Sequence, residues 1–378
     1  MSQKKKILFI HESMTGGGAE RVLVTLLDAF DYERYDVTLL LISDQGPFYN
    51  SVNKKVKVKT VYPGQRTFGR RLVRYNRRVR DFMESKRARK ILGDERFDVT
   101  VSFMEGTSLR LHGDLLGYAP RNLSWVHTDL SKFRWYDKWL TPKHEKELYD
   151  LIDGVAFVSE DALKGFRNVI GERGEQKIIY NPVDRRKIVS EAGQTERGHD
   201  GTIKLVTVGR LIDVKNHRLL LDTCKKLTDK KIPYHLTIVG TGILENELKQ
   251  YASALGLSSQ VEFAGFQSNP FPTVAKSDIF CLTSKAEGYS MVLAEALTLG
   301  VPVISTDVTG PRELLARGGG VLLDHDAKQF ADEIERLAKN PDELSRLKAD
   351  ALKASEQFDI TATMEAVHNF IDGGNDPS

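Results

Sequence analysis

Two glutamates late in the chain have a spacing that suits chemistry. Glu287 and Glu295 stand with seven residues between them, in Glu287-Gly288-Tyr289-Ser290-Met291-Val292-Leu293-Ala294-Glu295. Gly288 and Ser290 read as a turn that opens a helix, and the free amides at a helix start attract an anion. Glu295 falls on the otherwise apolar face of Val292, Leu293, Ala296 and Leu299. A carboxylate there is costly unless hydroxyls or a backbone donor satisfy it. The plainer alternative is a helix-capping Glu287 and a core-edge Glu295.

A second group lies upstream, in Val208-Gly209-Arg210-Leu211-Ile212-Asp213-Val214-Lys215-Asn216. A glycine leaves a strand end, and two cations follow just before a helix. That order suits a diphosphate, with the Arg210 fork chelating it and Lys215 acting as a point charge. Two solvated surface charges are the alternative. A third group, Gly16-Gly17-Gly18, joins the first strand to the first helix, where glycines let the backbone approach an anion closely. As a dinucleotide fingerprint it is incomplete, because Arg21 stands where the third glycine of G-x-G-x-x-G belongs. A tight βα turn without ligand remains the other reading. Asp44, at the end of the second strand, keeps an oxidoreductase alternative open.

These groups need strands that end where turns begin, and the chain supplies them. Short apolar runs (Ile7–His11, Asp36–Ser43, Phe97–Phe103, Asn122–His127, Asp153–Val158) alternate with helix-period segments such as Ala19–Phe30. The texture changes at Val189–Gly201, which reads as a linker or exposed loop, and the alternation restarts at Ile203–Val208. Such alternation specifies parallel sheets with right-handed crossovers. The expected fold class is α/β, with two Rossmann-like domains facing across a cleft. The expected boundaries are 1–185, 186–350, and a helical segment 351–378 packing back on the N-terminal domain. A length of 378 residues agrees, at ~100–200 residues per domain. No apolar run approaches the ~18 residues of a membrane span. The first apolar stretch, Ile7–Ile10, is too short for a signal peptide. Two cysteines, Cys224 and Cys281, make neither a disulfide framework nor a zinc site. A cytoplasmic globular protein is the expectation. Residues 1–185 hold 33 Lys+Arg against 25 Asp+Glu, a balance of +8. The remainder, with 55 − 33 = 22 basic and 52 − 25 = 27 acidic residues, stands at −5. Either the two halves face different partners, or one half faces an anionic surface.

In this order and at these spacings, the residues resemble the retaining GT-B glycosyltransferases of family 4 over most of the chain. The matching signatures begin with Gly16-Gly17-Gly18-Ala19-Glu20-Arg21 and Asn181-Pro182-Val183-Asp184. Gly209-Arg210 with Lys215-Asn216, Gly240-Thr241-Gly242, the Glu287 and Glu295 pair, and Gly300-Val301-Pro302-Val303 complete them. The resemblance implies that Arg210 and Lys215 hold a donor diphosphate, with amides around Ser290, Met291 and Val292 and the Gly17–Gly18 loop. It implies ribose hydroxyls at Glu295 and the transferred sugar at Glu287. Gly240 would lie in the donor site, and the nucleobase would lie near Gly265-Phe266-Gln267. His127, in Trp125-Val126-His127-Thr128-Asp129, matches the active-site histidine of the N-terminal domain. A satisfied core histidine is its alternative.

The resemblance also implies that no metal and no further cofactor is required. Asp324-His325-Asp326 has the D-x-D shape of metal-dependent glycosyltransferases but reads as a loop after the last strand. No side chain presents itself as a nucleophile of the Ser-His-Asp kind. That fits the front-face attack by which retention in the family is usually explained.

Arg66–Lys90 holds eleven basic residues, with Phe68, Leu72, Tyr75, Val79 and Phe82 as an apolar stripe. Such a helix either lies on an anionic membrane or packs its stripe in the core with a solvated basic back. Nothing indicates nucleic-acid binding. The expected activity is transfer of a hexose or N-acetylhexosamine from a nucleotide-diphosphate sugar, UDP-linked with GDP kept open. The acceptor would be a glycan or lipid-linked glycan of surface-polysaccharide assembly. Peripheral contact with the inner face of the plasma membrane would run through residues 66–90. The alternatives are a non-catalytic nucleotide-binding protein and a nucleotide-sugar epimerase on the same scaffold.

Overall fold

A computed structural model describes residues 3–15, 17–64, 77–132, 134, 140–194 and 201–374. The chain divides into two compact units, Met1–Pro182 with Thr361–Ser378, and Val183–Ile360.

The first unit is built on seven parallel strands: β1 (Lys5–His11), β2 (Tyr35–Ser43), β3 (Lys57–Tyr62), β4 (Val99–Ser102), β5 (Arg121–Val126), β6 (Gly154–Phe157) and β7 (Glu175–Ile178). Their spatial order is β3-β2-β1-β4-β5-β6-β7. Ile7 of the central β1 pairs with Val37 on one side and Val99 on the other. Ile7, Leu8, Phe9 and Ile10 are all fully buried, as a strand covered on both faces requires. Helices α1 (Gly18–Asp28), α2 (Arg77–Leu92), α3 (Thr107–Gly113), α4 (Pro142–Tyr149) and α5 (Glu160–Val169) supply the crossovers. Helix α1 buries Val22, Leu23, Leu26 and Leu27. Helix α5 is capped by Ser159, whose hydroxyl accepts the Ala162 amide at 3.1 Å. The strand order reverses between β1 and β4, and the carboxyl ends of strands at such a reversal are where open α/β sheets bind ligands.

The second unit opens with α6 (Arg185–Ala192). It continues through β8 (Ile203–Val208), α7 (His217–Asp229), β9 (Tyr234–Val239), α8 (Glu245–Ala254), β10 (Val261–Gly265) and α9 (Phe271–Ala275). After these come β11 (Ile279–Leu282), α10 (Met291–Thr298), β12 (Val303–Thr306), α11 (Thr309–Leu314), β13 (Gly320–Leu323), α12 (Ala327–Lys339) and α13 (Pro341–Ala354). Its six strands are parallel in the order β10-β9-β8-β11-β12-β13, with the reversal between β8 and β11. Leu205, Leu220, Leu236, Ile238, Ile279, Cys281, Phe330 and Ile334 form the core beneath that edge.

The last helix, α14 (Ile360–Asp372), packs on the first unit. Asp372 accepts Lys5 Nζ at 2.9 Å, Arg34 at 2.7 Å and the Tyr35 hydroxyl at 2.8 Å. Phe370 meets Trp125 edge-on at 5.4 Å. The unit boundaries differ from the expected 185/186 and 350/351. Asp184 caps α6 by accepting the Lys187 amide at 2.9 Å, and α6 packs on α9 and α10, so the second unit starts at Val183. Helix α6 reaches Ala192, so the expected loop from Val189 begins as helix; residues 195–200 lie outside the described residues. Helix α13 belongs to the second unit, which moves the second boundary to 360/361.

The basic segment is described from Arg77, and residues 65–76, with Phe68, Leu72 and Tyr75, lie outside the described residues. Of the apolar stripe, Val79 is 46% and Phe82 65% exposed. Helix α2 packs through Glu84, Ser85, Ala88 and Leu92 instead. Its buried face tolerates polar residues because Arg110 of α3 donates to Glu84 at 2.5 Å and Ser85 bonds Asp114.

Candidate functional site

At the carboxyl edge of the second sheet, backbone meets backbone closely. Gly209 follows β8 and donates to Val239 O at 2.9 Å, and Leu211 donates to Thr241 O at 2.9 Å. Gly240 has φ +137°, and a Cβ there would lie 2.0 Å from Gly209 O. A Cβ on Gly242 would lie 2.3 Å from Leu211 O. Both glycines are therefore required by the approach of the two loops. Arg210, at the tip of the first loop, is exposed. Phe266, after β10, is partly exposed beside Gly265, whose φ is +69°.

The 213–215 turn carries Lys215 toward the segment after β11. Lys215 Nζ lies 2.6 Å from Glu287 Oε1, and Ser284 Oγ donates to the same oxygen at 2.6 Å. Three further bonds fasten the two loops: the Lys285 amide to Val214 O (2.8 Å), Thr283 Oγ1 to Lys215 O (3.1 Å), and Lys285 Nζ to Asp213 (2.7 Å). Behind Glu287, Thr309 Oγ1 donates to its carbonyl at 2.9 Å and Thr306 Oγ1 to Ser284 O at 2.7 Å. His325 Nε2 lies 3.1 Å from the same Ser284 carbonyl. His217, buried next to the turn, has its pKa lowered to about 4, chiefly by burial and then by Lys215. The local positive charge at neutral pH thus rests on lysine and arginine.

Ser290 stands at the N-cap of α10, buried, with its hydroxyl making no hydrogen bond. The amides of Met291 and Val292 open the helix there, as an anion site requires. Glu295 is buried on the same helix. Sequence spacing thus brings Lys215, Glu287 and Ser290 onto one edge. The carboxylates of the D-x-D stretch do other work: Asp326 caps α12 through the Lys328 amide (2.6 Å) and Asp324 bonds Gln329 (3.0 Å). Among the described residues, no group of three or more His, Cys, Asp or Glu side chains is placed to hold a metal ion.

In the first unit, His11 ends β1, Phe103 follows β4 and His127 follows β5. The Phe103 ring lies 6.2 Å from His11 and 5.0 Å from His127. Burial lowers the His11 pKa to about 4. His127 falls to about 3, through burial and then the neighbouring His11, opposed by a hydrogen bond to the Phe103 backbone. Both imidazoles are neutral at neutral pH. His127 Nε2 and His11 Nδ1 are buried without a hydrogen-bond partner. His127 is therefore only partly satisfied by its core surroundings.

Its position is set by Glu105, fully buried, which accepts the His127 amide at 2.9 Å and Thr128 Oγ1 at 2.8 Å. The Gly17 turn caps α1, with the Glu20 carboxylate folded over it; a Cβ on Gly17 would meet Glu20 Oε2 at 2.3 Å. Gly18 has open space, and Gly16 lies outside the described residues. The sequence assigned no role to Glu105 or His11, and none to Ser284, although Ser284 opens the candidate segment that runs to Ala296. The available signal was position: each polar residue ends or follows a strand at an edge where ligands bind.

Residues 16–187 match the family model for Glycosyltransferase Family 4, and residues 191–354 the model for Glycosyl transferases group 1. A Campylobacter jejuni alpha-1,4-N-acetyl-D-galactosaminyltransferase, whose name gives a PP-undecaprenol-linked glycan, is 26% identical over 370 residues, 95% of this chain and 96% of its own length. A second enzyme of that organism, a diphospho-undecaprenol 4-alpha-N-acetylgalactosaminyltransferase, is 38% identical over 140 residues. That stretch is 36% of this chain and spans only 37% of the relative. The crystal structure of Anabaena HepE in complex with UDP and glucose superposes with a TM-score of 0.77 at 20% identity, covering 97% of this chain and 99% of that one. This likeness shows the fold.

Proposed function

We propose that this chain, which belongs to the family 4 glycosyltransferases of the GT-B fold, moves a hexose or N-acetylhexosamine with retention from a UDP-sugar to a hydroxyl of a lipid-linked glycan. The observation that carries this reading is the junction of Lys215, Glu287 and the start of α10 at the strand-order reversal of the second sheet. Arg210, Lys215 and the amides at Ser290, Met291 and Val292 hold the diphosphate and stabilise its charge as the glycosidic bond breaks, without a metal. Glu287 takes hydroxyls of the transferred sugar, and Glu295 those of the ribose. Gly240 keeps the loop beside Gly209 close enough to line this site, and the base lies near Phe266. His127, neutral and with an unpartnered nitrogen, serves the reaction from the first unit. The two Campylobacter jejuni relatives, named for undecaprenol-linked glycans, support a lipid-linked acceptor.

Such an acceptor lies on a membrane, and α2 offers a surface for it. Val79, Phe82, Lys86 and Lys90 share one exposed face of that helix. Each basic residue near an anionic surface contributes ~1 kcal/mol. Among the described residues, no helix is long and apolar enough to cross a membrane, so this contact would be peripheral, at the inner face of the plasma membrane.

The test is turnover in EDTA with UDP- and GDP-linked hexoses and N-acetylhexosamines against lipid-linked acceptors, with the product anomer read by NMR. The expected result is acceptor-dependent transfer from a UDP-sugar with the donor's anomeric configuration kept. Inversion, or release of an epimerised sugar without acceptor, would overturn the reading.

A further inference from the structure

The two residues proposed to meet the donor's diphosphate and its sugar touch each other. Lys215 Nζ and Glu287 Oε1 are 2.6 Å apart, with side chains only 21% and 10% exposed. This is a built contact and not a chance surface pair. Ser284 Oγ holds the same carboxylate oxygen, and the Thr283, Thr306 and Thr309 hydroxyls and the Lys285 amide, each donating to a backbone carbonyl, fix the two loops. A diphosphate reaching Lys215 therefore arrives beside a carboxylate that already occupies that ammonium.

The consequence differs for substrate and product. A sugar donor brings hydroxyls, which give Glu287 hydrogen-bond donors in exchange for Lys215. The nucleoside diphosphate left after transfer has no such hydroxyls at that place. Its terminal phosphate also carries one more negative charge, because the phosphate–sugar bond has broken. It must take Lys215 from Glu287 while facing that carboxylate unscreened by a sugar.

Resting on the donor-site reading above, we infer that Glu287 has a second task. It competes with the departing diphosphate for Lys215, weakening the hold on the nucleoside diphosphate product relative to the sugar donor. Ser284 is a positioning residue that keeps part of the Glu287 charge satisfied, and so moderates the competition.

The experiment is calorimetry of UDP and of inorganic pyrophosphate, in EDTA, on wild type, Glu287→Gln, Ser284→Ala, Lys215→Ala and the Lys215→Ala/Glu287→Gln double variant. Glu287→Gln should bind UDP about tenfold tighter than wild type, 1.4 kcal/mol at that ratio, while its turnover falls. Pyrophosphate should shift the same way. The double variant should bind no tighter than Lys215→Ala, because the competitor acts through that lysine. Ser284→Ala should shift oppositely, weakening UDP about threefold, and it replaces Glu287→Gln as the test if the latter fails to melt cooperatively. Unchanged or weaker UDP binding in a folded Glu287→Gln, or unchanged or tighter binding in Ser284→Ala, overturns the inference alone. A wild type that binds no UDP, GDP, ADP or pyrophosphate overturns the donor site itself, and this inference with it.

Discussion

Replacing Glu105 by alanine removes the acceptor of two hydrogen bonds made by a fully buried carboxylate, from the His127 amide at 2.9 Å and Thr128 Oγ1 at 2.8 Å. A buried donor left unsatisfied costs ~1–3 kcal/mol. Two donors served by one group do not add fully, so the expected loss is about 3 kcal/mol. At ~2–4 °C per kcal/mol for a unit of this size, the first unit should melt about 6–12 °C lower. Glu105→Gln keeps the shape and one carbonyl oxygen but turns an amide toward the other donor, so it should lose roughly half as much. Differential scanning calorimetry reads both, and amide exchange at His127 reports whether the strand end has loosened. Turnover should fall in Glu105→Ala with less change in donor KM, since most of the residues proposed to hold the donor lie in the second unit. Melting of Glu105→Ala within about 2 °C of wild type would refute the claim that this carboxylate fixes the His127 turn.

Acid should destabilise the first unit before most carboxylates titrate. His11 and His112 sit at about 4 and His127 at about 3, each lowered first by burial. The unfolded chain takes these protons near 6.5. Their contribution is therefore whole above pH 6.5 and is lost as pH falls toward 4, at roughly 1.4 kcal/mol per pH unit for each group. The urea midpoint should fall between pH 7 and pH 5; an unchanged midpoint would contradict the burial of neutral imidazoles. Gly240→Ala places a Cβ 2.0 Å from Gly209 O at φ +137°, and should cost about 3 kcal/mol or more while weakening UDP binding. A variant that melts with wild type would show that this loop contact is not needed.

Much of the second sheet's edge was legible because its residues are close in sequence to the glycines that mark it. Gly209-Arg210, Lys215 and Glu287-Gly288 each follow a strand whose apolar run is unmistakable. Glu105 and Ser284 were not legible, for a common reason. Their partners sit on the next strand end or a neighbouring loop, and sequence spacing says nothing about bonds between parallel neighbours separated by a whole crossover. Asp324-His325-Asp326 reads in sequence as a loop, which does not show that the His325 ring reaches back to Ser284 or that the aspartates bond at the start of α12. The α2 stripe left two readings open, a membrane-facing face or a core-facing one. Periodicity identified Val79 and Phe82 correctly as one face, but helix packing followed the opposite face, where Glu84 and Ser85 find partners on and next to α3. Ion pairing of that kind reverses the rule that the apolar face goes inward, and only the partner's position reveals it.

The measurement that bears most directly on the donor site is UDP binding by calorimetry, in EDTA and then with magnesium, on wild type and Glu295→Ala. The account predicts binding that does not need the metal and weakens by ~1–3 kcal/mol in the variant, as for one lost hydrogen bond to a charged group. Binding abolished by EDTA, or equal in the two proteins, would contradict it.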